Sequence, residues 1–276
     1  MENNGYVINF EKTNLKIESW IKNLNSNVNA EKKIIQKVLP DLIISDISIV
    51  PFLVAKKYQI PSIAISNFTW YEVLSNISKE LKQILKSSYE KADYAIQLPL
   101  GTEMSLFIKK NKVGIVCKKP TSSRKEIRKK LGILDSELCV FVNLGKFYNF
   151  KWKIEKNIKI ISTGAKINSK NVIYIQPWTE GQDLILAADL VICKCGYGMI
   201  TECISNGTKF YYLIDKKHIE QKAISNELEK KGIFCKISEK ELNSLQLTND
   251  FILSKKLKKE KIDTINVVSK ILDFLN

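Results

Sequence analysis

At 276 residues the chain has room for one large or two ordinary domains, and a hydrophobic content of 45% excludes wholesale disorder. No apolar run approaches the roughly 20 residues that span a bilayer, and the six cysteines with the lone His218 lack the close clustering of a zinc site, so no metal is expected. The net charge of +15 admits nucleic acid, an anionic membrane surface or a phosphorylated ligand as partner; nucleic acid is the weakest of these, since no binding motif accompanies the charge. An AT-biased genome also produces lysines spread along the whole chain together with Ile and Asn. Met1–Phe10 lacks a basic start and an apolar segment, which predicts no signal peptide and a cytoplasmic protein.

In chain order, residues 1–30 are polar and weakly patterned. A strand is expected at Leu42–Ser45, a helix at Pro51–Tyr58, a strand at Ser62–Ser66, a longer helix with Leu81, Ile84 and Leu85 on one face, and a strand at Tyr94–Leu98. Gly101–Lys112 breaks the pattern as a linker, which divides the chain into residues 1–111 and 112–276. The second part opens with Val113–Val116, and Ser123-x-x-Glu126 is a capping box starting a helix that stops at Gly132. Strands follow at Leu138–Leu144, Ile158–Ser162, Val172–Ile175, Leu190–Cys193 and Phe210–Ile214, with a helix at Gln221–Lys231 and an amphipathic tail helix within Leu257–Leu275. The strands are continuous apolar runs, as in a parallel sheet covered on both faces. With only three strands visible, the first domain reads as truncated or reduced, its opening βαβ segment missing.

Chemistry concentrates at Asp189-Leu190-Val191-Ile192-Cys193-Lys194-Cys195-Gly196-Tyr197-Gly198-Met199-Ile200-Thr201-Glu202. A buried strand runs into two glycines, and a helix starts near Gly198. Glycines admit a close ligand, and a helix N-terminus offers free N–H groups and partial positive charge, which suits a diphosphate. Lys194 adds a full charge at the strand end, and Glu202, expected in the first helical turn, can accept hydrogen bonds from a ribose diol. A tight βα connection with no ligand is the competing reading.

Lys194-Cys195-Gly196-Tyr197-Gly198 through Glu202, with Asn206-Gly207 and Glu220-Gln221, resembles the donor-binding signature of GT-B glycosyltransferases. Pro40–Asp46, Pro61–Trp70, Val113-Gly114 and Gln176-Pro177-Trp178 are similar to stretches of the group that holds the peptidoglycan N-acetylglucosaminyltransferase and the glycosyltransferase-like half of arabinokinases. The resemblance covers roughly residues 38–235 and implies two Rossmann-like domains with parallel sheets, an acceptor side in 1–111 and a donor side in 112–276. It implies metal-independent transfer of a hexosyl group from a nucleoside-diphosphate donor, UDP by preference, to a hydroxyl of a sugar or lipid-linked acceptor, with no cofactor beyond the UDP-sugar; separately, a basic surface on the N-terminal half would hold the chain as a peripheral protein at an anionic membrane. Gly196, Tyr197, Gly198, Met199, Ile200 and Thr201 would hold the diphosphate and Glu202 the ribose. Gln176 and Trp178 would flank the base, and Glu220 and Gln221 would reach the sugar.

Gly145, after the Leu138–Leu144 strand, is a second candidate phosphate contact. Asp46 is the candidate catalytic base, or else an N-cap or turn residue; Asn67 and Trp70 would line the acceptor side. The glycine- and histidine-rich turn with which the family usually begins has no counterpart here. That departure keeps open a non-catalytic or incomplete nucleotide-sugar-binding subunit that needs a partner chain, beside a GT-B-fold nucleotide-sugar epimerase.

Overall fold

A computed structural model of the protein describes residues 2–3, 7–8, 10–175, 180–233, 235–254 and 257–275. The weakly patterned start contains two helices, Phe10–Lys22 and Leu24–Val38. Of their apolar positions, Ile17, Ile21 and Leu24 follow helical spacing and pack on the first core, against a cluster that includes Ile49, Phe52, Leu85 and Tyr89. Among the described residues no helix is long and apolar enough to cross a membrane.

The first sheet has four parallel strands in chain order: Ile43–Ser45, Ser62–Ser66, Tyr94–Gln97 and Lys110–Lys112. The fourth lies inside the segment expected to be a linker. Its sequence, Lys-Asn-Lys, carries no apolar signal because it is an edge strand with a solvated flank. Val113 and Val116 do not open the second sheet; they pack on the first, beside Ile63 and Ile96. The tail helix Thr264–Leu275 returns to that same surface through Val267, Ile271 and Phe274, whose ring stacks on Tyr94 at 5.5 Å.

The second sheet has five parallel strands in the order Val172–Tyr174, Ile158–Ser162, Leu138–Asn143, Leu190–Lys194, Lys209–Leu213. Numbered along the chain this is 3-2-1-4-5, the doubly wound order, in which successive connections leave the first strand in opposite directions. Apolar clusters cover both faces, which is why these strands read as unbroken apolar runs. The expected strands of both sheets lie within one or two residues of those observed, and the capping box at Ser123 and Glu126 forms in full.

Asp189, one residue ahead of the Leu190–Lys194 strand, anchors the second unit. Its carboxylate accepts from Arg124 at 2.7 Å and from the Cys139 N–H at 2.8 Å, and it lies 3.5 Å from Arg128. Arg128 is 4% exposed and also donates to the carbonyls of Leu134, Glu137 and Ala187. This cluster joins one helix and the starts of two strands. Removing one partner leaves a buried guanidinium without its counter-ion. Asp189→Ala is therefore expected to destabilise the fold by about 3–5 kcal/mol, read as a drop in the urea midpoint at constant m-value.

Candidate functional site

The two strands at the topological switch, Leu138–Asn143 and Leu190–Lys194, are paired with Val191 opposite Phe141 and Cys193 opposite Asn143. Ligands of open α/β sheets bind in the crevice at such a point, beyond the carboxyl ends of the strands. Leu144-Gly145-Lys146 leaves one strand there, and Cys195-Gly196 leaves the other. Gly145 has φ +87, a conformation that favours glycine. A Cβ built on it would lie 3.6 Å from the Lys194 Nζ, so the ammonium stands against the Gly145 turn. Gly164 supports that turn from behind: a Cβ at Gly164 would come within 2.9 Å of the Gly145 carbonyl carbon.

Helix Tyr197–Asn206 starts one residue earlier than expected, with Gly196 as N-cap and no side-chain cap. Its first N–H groups have no partner within the helix by construction. Gly196 has an ordinary extended conformation, φ −128, and a Cβ at either Gly196 or Gly198 would meet nothing within 4 Å. These two glycines are therefore not required by the backbone; what they provide is open space over the helix N-terminus.

Glu202 lies in the second turn, a correction to its expected place in the first: it falls past the first 3.6 residues whether the helix is counted from Tyr197 or from Gly198. It is half-buried, and burial pushes its carboxyl up to about 7, opposed by the nearby Lys118. Thr201 is fully buried and its hydroxyl donates back to the Tyr197 and Gly198 carbonyls; Ile200 is also fully buried, in the second core. Neither side chain reaches the opening. Met199 and Tyr197 pack partly against the same core, and burial pushes the Tyr197 phenol up to about 12.

Gln221 is buried and its side-chain carbonyl accepts the Asp215 N–H at 2.8 Å, a loop-fixing role. Its neighbour Glu220 turns the other way and is hydrogen-bonded to Asn67 of the first half; burial raises its carboxyl and the Asn67 contact opposes that. Asn67 is itself buried, donates to the Leu100 carbonyl, and accepts the Thr102 N–H on its own carbonyl. Gln176 and Trp178 lie outside the described residues.

Asp46 follows the Ile43–Ser45 strand. It does not cap the next helix, whose N-cap is Ile49. Burial raises its carboxyl above the ordinary range, and a hydrogen bond with Ser66 partly offsets this. Its charge also acts on Tyr197, which puts Asp46 on the first half's side of the same crevice. Asp46 and Trp70 line a cavity of about 1110 Å³ in the first half. Ser66, Lys118 and Gly164 were not singled out from the sequence. Ser66 lay inside the Pro61–Trp70 stretch without a role being assigned to it, while Lys118 and Gly164 gave no local signal.

Among the described residues, no group of three or more His, Cys, Asp or Glu is arranged to hold a metal ion. The cysteines add no reactive group: burial raises the thiols of Cys193, Cys195 and Cys203 far from ionisation.

Residues 139–271 match the family described as "Glycosyltransferase family 28 C-terminal domain". The L-arabinokinase of Arabidopsis thaliana is 24% identical over 216 residues, 73% of this chain, so the chain spans about a fifth of that relative, 21% of its length. Among solved structures, the glycosyltransferase SnogD from Streptomyces nogalater has a TM-score of 0.58 at 12% identity, covering 88% of this chain and 75% of its own. Spinosyn rhamnosyltransferase SpnG complexed with thymidine diphosphate has a TM-score of 0.53 at 10% identity, covering 81% of this chain and 65% of its own. With its doubly wound second sheet, the chain thus has the GT-B fold seen in these structures, and its residues 139–271 are similar to the glycosyltransferase family 28 C-terminal domain.

Proposed function

We propose that the protein transfers a hexosyl group from a nucleoside-diphosphate sugar, with UDP as the nucleotide, to a hydroxyl acceptor. The observation that carries this reading is the meeting of three electropositive elements at the switch point: the Gly145 turn, the Lys194 ammonium and the uncapped start of helix Tyr197–Asn206. Such preorganised donors stabilise charge that develops on a leaving diphosphate. Glu202 takes the ribose hydroxyls and Glu220 the sugar, its bond to Asn67 being exchanged for one to the donor.

Asp46 acts as general base. The acceptor O–H gives its proton to the Asp46 carboxylate as the oxygen forms a bond to the anomeric carbon. The anomeric bond to the diphosphate breaks, and its electron pair leaves with UDP. Because the turn and Lys194 themselves supply the positive charge, the step is read as metal-independent. Burial raises the Asp46 carboxyl, and a raised carboxyl is a stronger base than an ordinary one.

A second reading has one observation in its favour. Among the described residues the strand Ile43–Ser45 pairs on one side only, with Ile44 46% exposed. An added strand there, from a partner chain, would extend the first sheet and complete the acceptor half.

Four outcomes test the transferase reading. In assays of UDP release from UDP-sugars with added acceptor, Asp46→Asn lowers kcat by about 10²–10⁴ while calorimetric UDP affinity stays unchanged, and EDTA leaves the wild-type rate intact. Gly196→Ala leaves the melting temperature near wild type, since its Cβ meets nothing, but weakens UDP binding tenfold or more. Glu202→Ala weakens UDP binding by about 1–3 kcal/mol.

The pH dependence has a definite sign. Glu202 must be ionised to accept from both ribose hydroxyls, so affinity rises as pH increases through about 7. Glu202→Gln removes that rise, and comparing the two proteins cancels titration of the ligand's own phosphate. Stability moves oppositely. A carboxyl raised on folding binds its proton more tightly in the folded state, so this group's favourable contribution is complete below its ordinary pKa and is lost by about pH 7.

A further inference from the structure

Doubly wound sheets ordinarily return from one strand to the next through helices. Two returns of the second unit do not. Residues 145–157 and 163–171 hold no helix; they carry the short strands Asn149–Phe150, Lys153–Ile154 and Lys166–Ile167. Asn149–Phe150 pairs in parallel with Lys166–Ile167, and the Asn168 N–H continues the pairing to the Phe150 carbonyl. Each run leaves the carboxyl end of a parallel strand, Leu138–Asn143 or Ile158–Ser162, and ends where the next strand starts. Both therefore lead from the crevice end of the sheet to its far end.

Side chains alternate along both runs. Inward, Tyr148, Phe150 and Trp152 are buried and stack in sequence at 5.4 and 4.5 Å, and the Trp152 indole N–H donates to the Leu242 carbonyl at 2.7 Å. Outward stand Asn149, Lys151 and Lys153 on one run and Lys166, Asn168 and Lys170 on the other, all exposed. Among the described residues no carboxylate is ion-paired to these lysines. The one carboxylate within the two runs, Glu155, accepts the Asn249 N–H at 3.0 Å. Two aromatic rings mark the crevice end: Phe147, 74% exposed, and Tyr174, 57% exposed, whose hydroxyl is fixed by the Ile167 N–H at 3.0 Å. A depression of about 630 Å³ is bounded by Lys151, Lys166, Tyr174 and Gly164, and Gly164 stands directly behind the Gly145 turn.

Resting on the transferase reading above, we propose that this face is a track for an acidic glycan chain whose reacting end enters the crevice. Lysines two residues apart on an extended run stand about 7 Å apart, so successive carboxylates of a polymer meet successive ammonium groups. The Asn149 and Asn168 amides both donate and accept, as sugar hydroxyls require. The Phe147 and Tyr174 rings offer apolar faces to a sugar ring at the crevice end. From Phe147 to Lys153 the track is about 20 Å long, room for several units rather than one. Single-stranded nucleic acid would call for rings along the whole groove to stack successive bases, where both rings lie at one end. A membrane surface would call for projecting apolar side chains, where the rows present lysine and asparagine.

The test is calorimetric titration of the full chain at fixed ionic strength with hexagalacturonate, digalacturonate, maltohexaose and an oligouridylate of six phosphates. Hexagalacturonate is expected to bind at least tenfold more tightly than each of the other three. The double variant Lys151→Gln/Lys166→Gln weakens hexagalacturonate tenfold or more at unchanged circular dichroism and unchanged UDP affinity. The control Lys32→Gln/Lys33→Gln, on the exposed side of helix Leu24–Val38, removes the same charge and leaves hexagalacturonate affinity within twofold of wild type. Equal losses in the two double variants would mean attraction by net charge alone and would overturn the proposal. So would tighter binding of the oligouridylate, binding of maltohexaose as tight as that of hexagalacturonate, or no binding of hexagalacturonate. UDP titrated in parallel separates the two readings: UDP binding with hexagalacturonate failing removes only the track, and the reverse removes the donor site.

Discussion

The pairing of strand Leu190–Lys194 with strand Leu138–Asn143 is the constraint on which the candidate site depends. Parallel pairing fixes the register, and fixed register brings the Gly145 and Gly196 turns side by side at one end of the sheet. Core packing on both faces leaves little freedom to slip, because a one-residue shift would exchange every side chain between two filled apolar layers. The Asp189 carboxylate adds a polar lock at the opposite end, where it holds the start of one strand and the N–H of Cys139 at the start of the other. The end proposed to meet ligand is thus defined by interactions made at the opposite end.

The crevice gathers three carboxyl groups, Asp46, Glu202 and Glu220, all raised by burial. Each has a different opposing partner: a hydroxyl at Ser66, an ammonium at Lys118 and an amide at Asn67. Lys118 opposes the burial of Glu202 without cancelling it, so this carboxyl stands at about 7 and accepts hydrogen bonds from two donors only as pH rises through that value. The Lys194 ammonium stands against the Gly145 turn, where the proposed diphosphate site calls for complementary positive charge.

Most of the sheet architecture was legible because parallel strands buried on both faces leave unbroken apolar runs such as Leu190–Cys193, and because Ser123 and Glu126 announce a helix by their spacing. The Lys110–Lys112 strand was not legible, since an edge strand of two lysines and an asparagine carries no burial signal. The helices within 10–38 were passed over although Ile17, Ile21, Leu24 and Val28 recur at helical spacing, because the Asn and Lys residues between them made the stretch read as polar. At the site, the Lys194–Glu202 turn stood out by its glycines, but spacing alone did not show that Thr201 and Ile200 turn inward. That depends on the helix starting at Tyr197 and so rotating each later residue by its fixed angle. Tertiary partners such as Ser66, Lys118 and Tyr89 are far from their targets in sequence, and no local pattern records them.

The tail helix has a mechanical consequence. The chain passes between the two sheets near residues 113–119 and passes back near 257–263. The passages are tied together where the Gly114 N–H meets the Asp263 carboxylate and the Asp263 N–H meets the Ile115 carbonyl, at 2.7 Å. A body joined to another by one tether can swivel; joined by two adjacent, cross-linked tethers, it retains chiefly rotation about the line they define. Opening of the crevice is thereby reduced to something close to a single coordinate, like the cover of a book, with Glu220 and Asn67 parting at the free edge while the spine stays closed.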